Sequence, residues 1–302
     1  MGTQKTNKNW EKMQPLRLIN NRIFCVVILS IAINMNIDAS ESFALNRYIQ
    51  YSFSLQNTGN MLLPDSEFWM YAPVHNASQE ILSIKANYQY QLTSDRLGNQ
   101  ILHFSFHNIP PFGTKIITIQ AQLLIYQSPQ STISDNLEIF LKHEKYVESN
   151  SQEIINLAKK LQASENIKTT KNIFKWVSTN LTYTGYIMND RGALWALNNQ
   201  KGDCTEYMYL FVALCRANGI PARGIGGYVY NKDSVLHPSD YHNWAEFYLD
   251  GAWNIADPQK DIFMDNYSHY ISMRIISESP ENPMGNYHRF RFSGDGLKIY
   301  MN

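Results

Sequence analysis

Three side chains in the second half of the chain are of the types that perform acyl transfer: the thiol of Cys204, the imidazole of His242 and the carboxylate of Asp257. Cys204 stands near the start of the run from Gly202 to Pro221, in which Tyr207, Leu210, Phe211, Leu214 and Ala217 recur at helical spacing. Asp203 is placed to cap that helix, and Gly219 and Pro221 to stop it. A thiol in the first turn meets unpaired backbone N–H groups and the positive end of the helix dipole, which favour thiolate and can donate to an oxyanion. Cys215 lies in the same helix and reads as a small buried hydrophobe. At eleven residues' separation the two cysteines would stand about 16 Å apart, beyond disulfide reach, so both thiols are expected to be free.

The other two groups belong to a hairpin. Asn243 to Leu249 and Ala252 to Ala256 read as strands joined by the two-residue turn Asp250-Gly251. With that turn Leu249 faces Ala252, Trp244 opposes Asp257, and His242 opposes Gln259. His242 and Asp257 are then diagonal neighbours on one face, so the carboxylate can hold one ring nitrogen and leave the other for the thiol. A slip of one residue would put them on opposite faces.

Other readings are weaker. His237 precedes Pro238 in a polar loop and has no carboxylate in register, so it is a poor second choice of base; Asp203, Glu206 and Asp240 read as cap or surface charges. A zinc site built on Cys204, His242 and Asp257 would need a further ligand or an open position, and no CxxC or HExxH pattern supplies one. Neither metal nor cofactor is expected. Tyr183, Tyr186 and Trp195 either line a cleft or fill a core. Arg274, Arg289 and Arg291 are candidates to meet a substrate carboxylate, although strand-edge arginines are commoner.

Three separated stretches carry a resemblance: Gly202-Asp203-Cys204 with the helix after it, His242-Asn243-Trp244-Ala245-Glu246, and Trp253-Asn254-Ile255-Ala256-Asp257-Pro258. Together with Leu214 to Arg223 leading into Gly226-Gly227-Tyr228, they resemble the transglutaminase-like superfamily, within the wider papain-like cysteine-enzyme fold. The likeness covers about 150–270. It implies an α+β core with the cysteine on a helix against a sheet that carries histidine and aspartate, and it assigns the nucleophile, base and orienting roles to Cys204, His242 and Asp257. It implies a thioester intermediate on an amide or peptide carbonyl, resolved by water in a protease or amidase or by an amine in a crosslinking transamidase. Hydrolysis is the preferred outcome; a non-catalytic scaffold is the alternative from another class. No EF-hand-like acidic loop is present, so calcium activation is not carried over.

Before that core, Arg47 to Tyr126 alternates short β-type runs with turn formers, as in Leu102, Phe104 and Phe106 against His103, Ser105 and His107. This predicts an immunoglobulin-like β-sandwich of about seven strands over 47–127, with His103 and His107 on its wet face. A polar, aperiodic linker is expected over 128–150 and the catalytic domain over 151–302, its tail adding strands beside the site. The sequence has 302 residues, 44% hydrophobic, with 26 basic and 26 acidic side chains. Balanced charge gives no field to draw nucleic acid, which is excluded as a partner. Lys5, Lys8, Lys12, Arg17 and Arg22 precede an apolar run from Ile23 to Ile33 and a small residue at Ala39, the layout of a signal peptide over 1–39. A run of that length spans about 16 Å as a helix, short of a bilayer core of about 30 Å, so a cleaved signal is preferred to an anchor. The expected location is periplasmic or secreted, membrane contact being limited to an uncleaved signal. The expected partner is a protein or peptide substrate, peptidoglycan peptides included; the oligomeric state is open.

Overall fold

The computed structural model describes residues 44–131, 136–277, 282–285 and 287–302. The expected signal peptide lies outside them. The order begins with six strands: β1 (Ala44–Asn57), β2 (Leu63–Ala72), β3 (Gln79–Ala86), β4 (Gln91–Ser94), β5 (Gln100–Ile109) and β6 (Thr114–Tyr126). Then come α1 (Gln152–Leu161), α2 (Asn166–Asn180), β7 (Thr182–Tyr183), α3 (Ala193–Asn199), β8 (Lys201–Gly202) and α4 (Cys204–Ala217). The remaining strands are β9 (Ala222–Val229), β10 (Ser234–Val235), β11 (Tyr241–Leu249), β12 (Ala252–Asp257), β13 (Ile262–Phe263), β14 (Tyr270–Ile276), β15 (Phe290–Ser293) and β16 (Leu297–Met301). The fold is α+β. No helix among the described residues is long and apolar enough to cross a membrane.

Alternating apolar residues build the sandwich. One sheet runs β10-β1-β6-β3 with β16 also on β1; the other runs β15-β2-β5-β4. Their inner faces meet through rings such as Phe53, Phe68 and Phe104, with Phe53 and Phe68 centred 5.2 Å apart. His103 and His107 sit outside this core, paired with Glu67 and Asp65. The expected stretch supplies six strands rather than seven, and the sheets are completed by β10 from within the core and by β15 and β16 from the far end of the chain. The tail therefore divides: β14 joins the core sheet next to β9, while β15 pairs with β2 and β16 with β1. Periodicity marks a strand but carries no address, so a distant partner is invisible to it.

The stretch between sandwich and core has little regular structure but is packed. Phe140 is buried edge-on against Trp253 at 5.0 Å. The Glu144 carboxylate meets Arg216, and Glu148 accepts the N–H groups of Ala193 and Leu194 at the start of α3.

In the core, the sheet β13-β12-β11-β9-β14 packs on α4, whose residues from Thr205 to Arg216 are all buried. A helix enclosed on every side is a central one, and α1, α2 and α3 cover the flank away from the sheet. Arg216 ties its C-terminal end down, with Nε donating to the Ala222 carbonyl at 2.8 Å and Nη1 to the Lys142 carbonyl at 2.6 Å. The outer edge of β14 is closed by side chains from the sandwich. Asn99 exchanges two hydrogen bonds with the backbone of Ile275, and Gln79 two with that of Ser272. These amides do for an edge strand what a neighbouring strand would otherwise do.

Candidate active site

The cap of α4 is assembled as its sequence dictates. Asp203 Oδ1 accepts the Thr205 N–H at 2.8 Å, and Glu206 returns a carboxylate oxygen to the Asp203 N–H at 3.1 Å, a complete capping box. The same two acids pin the loop before α3: Asp203 Oδ2 accepts from Ile187 N–H and Glu206 Oε1 from Arg191 N–H. Because Asp203 takes the amides of residues 205 and 206, the Cys204 amide is the first-turn donor that the cap leaves for an oxyanion. The expectation of several such donors is reduced to one.

The hairpin adopts the predicted register. Asp250 and Gly251 have φ of 50° and 83°, the two positive values a two-residue turn of this twist requires, and Leu249 pairs with Ala252 through to Ala245 with Ala256. Beyond the last pair, Nε2 of His242 meets Oδ2 of Asp257 at 2.6 Å, both residues buried. Nδ1 is thereby the nitrogen left over. Asp257 is itself held, by the Tyr270 hydroxyl on Oδ2 at 2.9 Å and the Lys260 N–H on Oδ1 at 3.2 Å. The indole of Trp244 lies nearly parallel to the imidazole, ring centres 6.5 Å apart.

Cys204 is partly exposed, and the Asn243 backbone and the Thr205 hydroxyl lie near enough to its sulfur to favour the thiolate. The residue after His242 thus bears on the thiol through its backbone. Asn243 Nδ2 also donates to the Thr205 hydroxyl oxygen at 2.9 Å, tying β11 to the first turn of α4. Burial pushes the Cys204 thiol up to about 12, helped by the negative charge of Asp203 and opposed by those two donors. The helix terminus was expected to favour thiolate; burial works against it by pushing the thiol up. A nucleophile in this position depends on a base to take its proton.

Other candidates separate. Cys215 is fully buried within α4, its thiol pushed further up by burial. His237 is exposed at the start of a short turn, its N–H bonded to Asp240. Tyr183 pairs with Gly202, two residues before the cysteine, and its phenol is raised by partial burial and then by the charges of Cys204 and Asp203. Tyr186 is 80% exposed, and Trp195 carries the Arg191 guanidinium on its ring. Arg289 and Arg291 lie over Tyr241 and Trp69, and Arg274 is buried on β14. Thr205, Asn243 and Tyr270 were missed. The first two are each the next residue after a recognised one, a signal that was available; Tyr270 reaches Asp257 from another strand. No cluster of three or more His, Cys, Asp or Glu fit for a metal occurs among the described residues.

Comparison with known proteins places part of the chain in a family. Residues 155–258 match the transglutaminase-like superfamily. An uncharacterized protein of Mycobacterium leprae is 29% identical over 106 residues, which are 33% of this chain and 37% of that protein, so the match spans little more than a third of the relative's length. Among solved structures, a candidate cysteine protease from Cytophaga hutchinsonii has a TM-score of 0.57 at 17% identity, covering 86% of this chain and 92% of that one. The periplasmic domain of TgpA from Pseudomonas aeruginosa has a TM-score of 0.39 at 14% identity, over 70% and 90% of the respective chains. The first of these two likenesses is one of fold.

Proposed function

We propose, starting from the transglutaminase-like domain at residues 155–258, that this chain is a cysteine-dependent acyl-transfer enzyme acting on amide or peptide carbonyls, with water as the usual acceptor. One observation carries the reading: the His242–Asp257 contact at 2.6 Å fixes the imidazole through Nε2, beside Asn243, whose side chain is bonded to the Thr205 hydroxyl next to Cys204. Asp257 holds the ring in one tautomer and steadies its charged form, and Nδ1 takes the thiol proton.

The steps then balance. The Cys204 sulfur bonds to the carbonyl carbon, whose oxygen takes the negative charge beside the Cys204 amide. The carbon–nitrogen bond breaks as His242 gives its proton to the leaving amine, and a thioester remains. Water, deprotonated by His242, bonds to the same carbon; the sulfur–carbon bond breaks and the thiol recovers its proton. An amine entering in place of water gives a transamidase from the same residues.

The basic and apolar pattern before Ala39 supports export, so the proposed substrates are proteins or peptides outside the cytoplasm. Glutaminyl and peptide substrates assayed with and without a labelled primary amine test this reading. The expected result is turnover that vanishes in Cys204→Ala and His242→Ala, with product acid exceeding incorporated amine. Amine incorporation outpacing hydrolysis would convert the assignment to a transamidase, and a wild-type chain as inert as Cys204→Ala would leave only a scaffold.

A further inference from the structure

Strand β14 does not keep one face throughout. Tyr270 and Ser272 pair with Val229 and Gly227, but the register then shifts, Met273 is passed over, and Arg274 pairs with Gly226 and Ile276 with Gly224. Tyr270 consequently points to the face that holds Asp257, whereas Arg274 and Ile276 point to the face that packs on α4. Without the bulge, Arg274 would follow Tyr270 and Ser272 to the other side.

Arg274 shares the α4 face of the sheet with Asn243, on the other side from His242 and Asp257. Gly226 is the paired neighbour of both Arg274 and Asn243, so two strand spacings, about 10 Å, separate Arg274 from the residue bonded to Thr205, the neighbour of Cys204. Gly226 is required between them, because a Cβ there would collide with the Tyr241 hydroxyl and crowd Asn243 Oδ1. Along the helix, Tyr209 follows Cys204 by five residues, roughly 7.5 Å, and borders the same cavity.

That cavity, of about 770 Å³, is lined by Arg274 together with Tyr209, Asp190, Glu144, His288 and Asn282. Its acids are already engaged. Asp190 accepts from the Tyr209 hydroxyl at 2.8 Å and faces His288 at 3.4 Å, and Glu144 is paired with Arg216 at 2.9 Å. Arg274 is near enough to Asp190 to favour its charged form, but it hydrogen-bonds neither acid among the described residues. It is 7% exposed, its guanidinium lies over the Tyr71 ring, and its one hydrogen bond among the described residues runs from Nη1 to the Tyr287 carbonyl at 3.2 Å. A guanidinium carries five N–H donors, and those of Arg274 that the Tyr287 carbonyl leaves over are not sealed in the protein but face the cavity. A charged fork of donors open to a cavity at its wall is what a carboxylate fits.

We propose that Arg274 anchors a carboxylate of the substrate, selecting acyl substrates that bear an acidic group within about 10 Å of the reacting carbonyl, the reach of some three extended residues. A peptide close to its free C-terminus meets that condition. This rests on the acyl-transfer reading above, and the test separates the two. Acetylated tripeptides, each made as C-terminal acid and as C-terminal carboxamide, are assayed for turnover by the whole chain and for binding to Cys204→Ser by calorimetry. The expected result is at least tenfold higher kcat/KM for the acids, lost in Arg274→Gln through the acids alone and partly kept in Arg274→Lys. Equal kcat/KM for acid and carboxamide in the wild-type chain, or an equal loss on both in Arg274→Gln, overturns the proposal without touching the chemistry. If no peptide is turned over, tighter binding of the acids to Cys204→Ser, weakened tenfold by adding Arg274→Gln, still supports the anchor while the acyl-transfer reading fails; equal binding of acids and carboxamides overturns the anchor too.

Discussion

His242 Nε2 and Asp257 Oδ2 lie 2.6 Å apart although the two residues do not face each other across the hairpin; they meet diagonally, just past the last paired positions of β11 and β12. The Tyr270 hydroxyl closes on the same carboxylate oxygen from β14. Orientation of the imidazole is thus shared between a hairpin turn and a strand two places away in the sheet.

Asp257→Asn tests that relationship. The amide can present an N–H where the imidazole now finds an acceptor, so the ring is expected to lose its tautomer and kcat to fall by about 10²–10⁴-fold. Tyr270→Phe removes only the second donor and should cost far less, of the order of tenfold. Steady-state rates for both variants, with melting temperatures to show that they fold, decide it.

Asp203 raises the Cys204 thiol by its charge while capping α4 by its shape. Asparagine caps nearly as well without the charge. Asp203→Asn is therefore expected to lower the thiol's pKa and speed alkylation by iodoacetamide near pH 8 several-fold, at a stability cost of about 1 kcal/mol. Rates followed from pH 6 to 10 give the shift directly; an unchanged profile would remove Asp203 from the account of the thiol.

Glu206 is fully buried, and burial pushes its carboxyl up to about 7, against the pull of the Arg191 and Asp203 amides. A group raised on folding stabilises the fold below its ordinary value near 4.5, and that contribution is lost as pH rises through 7. Melting temperature should accordingly be higher at pH 5.5 than at pH 7.5, and the difference should shrink in Glu206→Gln. The variant also loses one acceptor for those two amides, so its stability at low pH should fall by about 1–3 kcal/mol.

Arg223 and Glu246 form a buried pair at 2.6 Å on the sheet face away from α4, with the guanidinium 4.0 Å from the centre of the Trp253 ring. Removing one partner strands a buried charge, and Glu246→Ala is expected to destabilise by about 3–5 kcal/mol. Replacing both by apolar residues of similar volume should recover much of that loss. Denaturant titration of the three variants measures it.

The sequence by itself determined the parts of the site that are set locally. Helical spacing after Asp203 placed Cys204 in a first turn, and the Asp250-Gly251 turn fixed the hairpin register that brings His242 to Asp257, because both depend on backbone preferences a few residues long. Tertiary structure decided what comes from a distance. Burial, which pushes the thiol up, is one such effect, since desolvation depends on everything packed around it. The sandwich is completed by β15 and β16, and the bulge after Ser272 puts Tyr270 and Arg274 on opposite faces of one strand; no period in the sequence specifies either, because pairing partners and register shifts are settled by which surfaces the whole chain can bury together.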